Sequence, residues 1–206
     1  MYVAAGGTGT TDKRLLRGVR TRHIVLRRAV DVASVEGLAG LSFGKLAADT
    51  GMSKAGVQTL FKTKEALQLA TVGHAREMFV DAVVRPARTA THGVARLRAL
   101  IEHWIVYAEA PLFEGGCFRV ANLADYDSRP GPVRDALFRD QQEWLDLLAG
   151  ELRHAVAAGE IPDTDPRVTA FLLDAVLCAA NTALRVGNTD AIDNIRRIAD
   201  TLLTAC

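Results

Sequence analysis

The most constraining feature of this chain is a hydrophobic period of three to four residues that persists along nearly its whole length. No segment alternates apolar and polar residues as a half-buried strand does. From about Arg20 the stripe is Val25, Ala29, Val32 and Ala33, and Gly37 and Gly40 stop it. Ser42 stands as N-cap to a short helix holding Lys45, Leu46 and Ala47, which Gly51 ends. Ser53 caps a third helix with Val57, Leu60 and Phe61 apolar, and Thr63 caps a fourth with Glu65 in its first turn. That fourth pattern runs to Arg85-Pro86, where proline ends it.

The remainder keeps the same period. Leu97, Leu100, Ile101, Trp104, Ile105 and Ala108 form one stripe up to Pro111, and a shorter helix is expected near residues 117–124. The breaker Asp127-Ser128-Arg129-Pro130-Gly131-Pro132 precedes a long helix from Val133 to Val156 that ends at Gly159. Asp165-Pro166 reads as N-cap and first helical position of a helix apolar nearly all round, and Ile192, Ile195, Ile198, Ala199, Leu202 and Leu203 mark the last one. The expected fold class is all-α.

Composition agrees, because aromatics make up only 6% of the 206 residues while Ala, Leu, Val and Arg dominate, which favours helices over a β-sandwich. The formal net charge of +1 conceals an asymmetry: residues 1–70 carry 11 Lys+Arg against 5 Asp+Glu, and residues 71–206 carry 14 against 19. A basic first third on an acidic remainder points to a polyanion at that end; chance clustering is the competing reading. Cys117, Cys178 and Cys206 are odd in number and far apart, so neither a disulfide framework nor a zinc site is expected, and a reducing cytoplasm fits. No metal or cofactor is expected. Residues 1–12 read as a flexible tail without the apolar run of a signal peptide. The most hydrophobic stretch, Val168 to Val186, contains Asp174, Asn181 and Arg185, so a buried helix is expected there rather than a membrane span.

The informative segment is Ser42 to Phe61. A helix-turn-helix needs a small residue early in its first helix so that the two can cross closely, and Ala47 supplies it. It needs a tight turn at positive φ, which Gly51 can adopt. Met52, Val57 and Phe61 can lock the second helix, leaving Lys54, Ala55, Gln58 and Thr59 free to enter a major groove.

The stretch "KLAADTGMSKAGVQTLFKTKEAL" resembles the DNA-binding domain of the TetR family of transcriptional regulators, in Leu46-Ala47, Gly51-Met52-Ser53, Val57, Phe61 and Lys64-Glu65-Ala66-Leu67. The resemblance covers about residues 20–70. It departs from the family at Gln58, where a tyrosine is usual, and at Leu60, where a histidine is frequent. It implies a basic tail (1–17), a DNA-binding domain (18–80, with the helix-turn-helix at 42–61) and a C-terminal effector-binding and dimerisation domain (81–206). The implied DNA contacts are Ser42, Lys45, Ser53, Lys54, Ala55, Gly56, Gln58, Thr59, Lys62 and Lys64. Gln58 can read adenine through its amide, Lys54 can meet guanine or a phosphate, and Thr59 a thymine methyl or a phosphate. Lys62 and Lys64 suit backbone neutralisation, against a competing reading as solvated charges. The basic run from Lys13 to Arg22 is equally consistent with an arm along the minor groove and with a solubilising arm.

The same resemblance implies a repressor released from a palindromic operator by a small molecule, and a homodimer through the last two helices. Trp104, Tyr107, Phe118, Asn122 and Trp144 are the candidate ligand-lining residues, aromatic surface with a few polar handles, and core packing is the competing reading for each. A weaker resemblance to a TetR-type C-terminal domain rests on "LFEGGCFRVANLADYDSRPGPVR". Ligand binding is expected to move the fourth helix and so the spacing of the recognition helices. No catalytic signature such as HExxH or GxSxG occurs, so an enzyme is not expected. A helical protein-interaction module without specific DNA binding is the alternative function.

Overall fold

The structure, a computed structural model, describes the backbone of residues 8–204 and the side chains of residues 16–204. Among these residues it contains nine helices and no strand: α1 (Thr8–Glu36), α2 (Phe43–Thr50), α3 (Lys54–Phe61), α4 (Lys64–Phe79), α5 (Val94–Glu109), α6 (Phe118–Tyr126), α7 (Pro132–Ala157), α8 (Pro166–Arg185) and α9 (Asp190–Leu202). The all-α expectation therefore holds.

The expected N-caps are in place. The side-chain oxygens of Ser42, Ser53 and Thr63 accept from the N–H groups of Lys45, Gly56 and Ala66, each at 3.1 Å. Each such bond satisfies a donor that the helix cannot, a contribution of about 1 kcal/mol. Asp165 caps α8 in the same way, accepting from Arg167 and Val168 ahead of Pro166.

Two local expectations need correction. The tail expected over residues 1–17 is helical from Thr8 onward, and its first seven residues lie outside the described residues. Lys, Arg and Leu between residues 13 and 17 are good helix formers, so a helix nucleated downstream against the core propagates through them. Pro86 likewise does not end α4 abruptly. The chain widens into a π-turn over Val80–Val84, makes one further α-turn at Arg85–Ala87 and leaves the helix at Arg88. A proline ring crowds the carbonyl four residues back and offers no N–H; the wider turn just before it accommodates both.

Helix α7 is the axis of the larger part, packing against α4, α5, α6 and α8. Helix α6 and the loop before it form a wedge between α1 and α8. Gly115 sits so close to α1 that a Cβ there would lie 1.9 Å from the Ser34 carbonyl oxygen. Its N–H donates to Ser34 Oγ at 2.8 Å. Gly115→Ala should therefore force the loop off α1, lowering stability by about 1–3 kcal/mol as overpacking does; a thermal melt within 1 °C of the parent would contradict this close approach.

Helix α8 is long and apolar enough to cross a membrane by length and composition alone. Within the fold its polar groups have partners: Asp174 pairs with Arg119, and Asn181 Oδ1 accepts from the Cys117 N–H at 2.9 Å. The apolar stripe of α9 is largely used inside the monomer, since Ile192, Ile195, Ala199 and Leu203 are all buried.

Candidate functional site

The turn between α2 and α3 is built by Gly51, at φ 68° and ψ 22°. Met52 N–H reaches back to the Ala47 carbonyl at 2.9 Å, and Gly51 N–H to Ala48 at 3.5 Å, the double closure of a Schellman motif. Leu46, Ala47, Val57 and Phe61 are buried beneath the turn, so α3 presents its opposite face outward.

The far end of α3 is held as tightly. Lys62 has φ 64° and ψ −57°, and the Thr63 N–H donates to the Phe61 carbonyl at 2.8 Å. This is a γ-turn on a residue with a Cβ, a strained geometry costing about 1–3 kcal/mol. Arg22 of α1 supports it, lying 4.5 Å above the Phe61 ring and donating from Nη1 to the Leu60 carbonyl at 2.8 Å. Arg22 could not be recognised in the sequence as an anchor of α3, because the contact spans 38 residues.

Lys54, Ala55, Gln58 and Thr59 come together on the exposed face of α3. Thr59 Oγ1 donates to the Ala55 carbonyl at 2.8 Å, leaving its methyl and a lone pair for other partners. Gly56 is half-buried behind this face, with Ser53 Oγ 3.1 Å from where its Cβ would stand. Ser42 and Ser53 remain exposed while serving as caps. Lys45 is drawn aside by Glu36, with which it forms an ion pair. Lys62 is exposed at the γ-turn, and Lys64 Nζ donates to the Ala39 carbonyl at 2.7 Å, leaving two of its three protons free. Ser42, Gly44, Lys54 and Lys64 line one recess of about 310 Å³ beside the N-termini of α2 and α4. Two ammonium groups near helix N-termini suit a phosphate.

A second site lies between α4 and α7. A cleft of about 360 Å³ is walled by Phe79, Val80, Val84, Trp144 and Leu147, with Arg76, Arg88, Asp140 and Glu143 at its polar parts. It adjoins a chamber of about 30 Å³ that also reaches Tyr107, Phe113, Cys117 and Phe118. Arg76, Phe79, Asp140 and Trp144 line both spaces. Phe79 sits edge-on to Tyr107 and to Trp144, with ring centroids 5.4 Å apart in each pair. Arg76 Nε lies 3.4 Å from Asp140, and its Nη2 is paired with Glu143.

Of the five expected ligand-lining residues, the chamber brings together Tyr107, Phe118 and Trp144. Trp104 and Asn122 are not among its lining residues; Trp104 is 1% exposed in the core. Asn122 instead spans the two parts of the molecule, accepting from the Leu38 N–H at 2.7 Å and donating to the Ala33 carbonyl at 3.1 Å. Phe79, Arg76 and Asp140 were not anticipated. Asp140 stands one helical turn before Trp144, on the same helix face; nothing local marks Arg76 or Phe79.

Burial pushes the Cys178 thiol up to about 11, with the Asp174 carboxylate adding to the rise, so this thiol is protonated at neutral pH. Among the described residues no group of three His, Cys, Asp or Glu side chains could hold a metal ion.

The family described as "Tetracyclin repressor-like, C-terminal domain" matches residues 93–199, just over half of the chain. A comparison with curated proteins found no match. Among solved structures, a TetR transcriptional regulator from Chloroflexus aurantiacus is similar at 26% identity and TM-score 0.79, over 90% of this chain and 94% of that one. A TetR-family regulator from Agrobacterium tumefaciens is similar at 17% identity and TM-score 0.81, over 91% of this chain and 100% of that one. AibR, solved in complex with isovaleryl coenzyme A and operator DNA, is similar at 21% identity and TM-score 0.74, over 90% and 99%. With its caps, its turn and its nine-helix order, the chain belongs to the TetR family of transcriptional regulators.

Proposed function

We propose that the protein binds a palindromic operator as a homodimer, represses from it, and leaves it when a small molecule occupies the cleft between α4 and α7. The observation that carries this reading is the exposed face of Lys54, Ala55, Gln58 and Thr59 on a helix locked along its other side and at both ends. In this reading Gln58 takes the place of the family's tyrosine and reads an adenine edge, while Lys54 and Lys64 hold phosphates at their shared recess. Residues 18–80 are the DNA-binding domain and residues 81–206 the effector-binding and dimerisation domain, working in the cytoplasm.

Dimerisation rests on α8, which exposes Val168 (55%), Phe171 (64%) and Leu172 (45%) along one side. Ile198 is exposed on α9 as well, and a two-fold partner would bury this apolar surface. Ala179 and Ala183 leave a shallow groove between α8 and α9 that admits close approach. Two copies then present two recognition helices to half-sites one helical turn, or a multiple of it, apart.

Selection of bound duplexes from a random pool, followed by gel shifts, tests the reading. Gln58→Ala should relax sequence choice at one position per half-site. Lys64→Ala should weaken binding to all duplexes and flatten the salt dependence by about one unit. An unchanged salt slope would remove Lys64 from the interface, and failure to enrich any sequence would favour a protein-interaction module instead. A monomer at micromolar concentration in the analytical ultracentrifuge would sink the dimer.

A further inference from the structure

The outward face of α3 carries two rows of side chains, and one of them turns methyl groups toward a partner. Ala55 and Thr59 stand one helical turn apart and are both exposed, so they follow one another on the helix surface with about 5–6 Å between their Cβ atoms. Ala55 has nothing beyond its Cβ. Thr59 Oγ1 donates its proton to the Ala55 carbonyl at 2.8 Å, which folds the oxygen back onto its own helix. So bound, the hydroxyl has no proton left for a phosphate oxygen, which can only accept. The Cγ2 methyl has no such tie. Lys54 and Gln58, also exposed, form the neighbouring row and supply the hydrogen-bonding groups of the face. Behind both rows Val57 and Phe61 are buried, and Arg22 holds the end of α3 through the Leu60 carbonyl, so the face is fixed in orientation.

We propose that Thr59 and Ala55 together read a thymine, its C5-methyl group seated between the Thr59 Cγ2 and the Ala55 Cβ. Two methyls at that spacing admit a third in van der Waals contact with both, at about 4 Å from each. Of the four ordinary bases only thymine presents a methyl in the major groove. The others present donors and acceptors there, which a pair of methyls would leave unpaired. The adenine edge that Gln58 takes in the reading above opens on the same groove, so amide and methyls can share one A·T pair or two adjacent ones. Arginine, the side chain that most often selects guanine, does not stand on this face. The inference rests on the operator-binding reading given above and places an A·T pair in the half-site.

Gel shifts of the full-length protein test it, on a duplex selected from a random pool and on copies in which each thymine is replaced in turn by deoxyuridine, which lacks only the methyl. At one position per half-site the replacement should weaken binding about fourfold, the effect of exposing one methyl-sized group to water. Thr59→Ser keeps the hydroxyl and deletes the methyl, so it should lose most of that preference. Thr59→Val keeps a methyl and deletes the hydroxyl, so it should retain both the preference and near-parental affinity. Loss of affinity for every duplex in Thr59→Val, with none in Thr59→Ser, would place the hydroxyl on a phosphate and overturn the proposal. A selected half-site without thymine overturns it too, as does a preference undiminished by Thr59→Ser. The thymine-to-uracil comparison on the parent protein requires no variant, so it stands whether or not either substitution folds. Operator binding that is indifferent to uracil at every position overturns the methyl contact and leaves the DNA-binding reading standing. A chain that enriches no duplex from the pool overturns both.

Discussion

Asp174→Ala is expected to destabilise the protein by about 3–5 kcal/mol, the range for removing one partner of a buried ion pair. Arg119 Nη2 donates to Asp174 Oδ1 at 2.6 Å and Nη1 to Oδ2 at 3.3 Å, with Arg119 8% and Asp174 4% exposed. Burial alone would disfavour the guanidinium charge, but the carboxylate outweighs it and the arginine's pKa is raised. The alanine variant leaves that charge in the interior without its hydrogen-bonded counterion. Most of the loss should return in Arg119→Met with Asp174→Leu, since a well-packed apolar pair of similar volume is often neutral or better. Urea denaturation at fixed pH measures both, read as the shift of the midpoint at constant slope. A loss below 1 kcal/mol in the single variant would show that Arg119 reaches solvent and that α6 is not fixed to α8 by this pair.

Asn122→Ala should cost roughly 2–4 kcal/mol, because it strips partners from buried backbone groups as well as deleting packed atoms. Asn122 is 0% exposed and its amide is fully engaged. The oxygen takes the Leu38 N–H, and the nitrogen serves the Ala33 and Phe118 carbonyls, the latter at 2.8 Å. Leu38 lies in the turn joining α1 to α2, and its own carbonyl accepts from Gln68 Nε2 at 2.9 Å. Gln68 Nε2 also donates to the Tyr126 hydroxyl at 3.0 Å, so both polar groups of one residue are tied to α4 and α6. Loss of Asn122 should thus open the Leu38 amide to hydrogen exchange far sooner than amides in the core of α7. An amide at Leu38 as protected as in the parent would mean that Gln68 alone holds the turn. If ligand occupancy is transmitted to the DNA-binding helices through this junction, the variant should also bind ligand normally while responding to it less.

These two residues show where a linear reading stopped. The caps at Ser42, Ser53, Thr63 and Asp165, and the turn at Gly51, were legible because a cap or a positive-φ glycine acts within three or four residues of itself. The outward face of α3 was legible for the same reason, since helical period alone separates Lys54, Ala55, Gln58 and Thr59 from Val57 and Phe61. Asn122 read equally well as a polar handle in a pocket or as a core residue, and only the arrival of α1, from 89 residues away, decided between them. Trp104 and Trp144 look alike in sequence as buried aromatics on helical stripes. One closes the core, whereas the other lines the cleft with an unmet donor.

What the sequence determined by itself is thus the local grammar: where helices start and stop, that no sheet competes, and which face of α3 is free. Hydrogen bonds between near neighbours and the period of the helix set all of these. Only the tertiary structure decided that loop 110–117 and α6 wedge between α1 and α8, that α9 spends its apolar stripe inside the monomer, and that α4 widens beside the cleft. Those outcomes depend on partners that loop closure brings together from distant parts of the chain. Close packing then admits a single arrangement of them, as at Gly115, where no side chain fits.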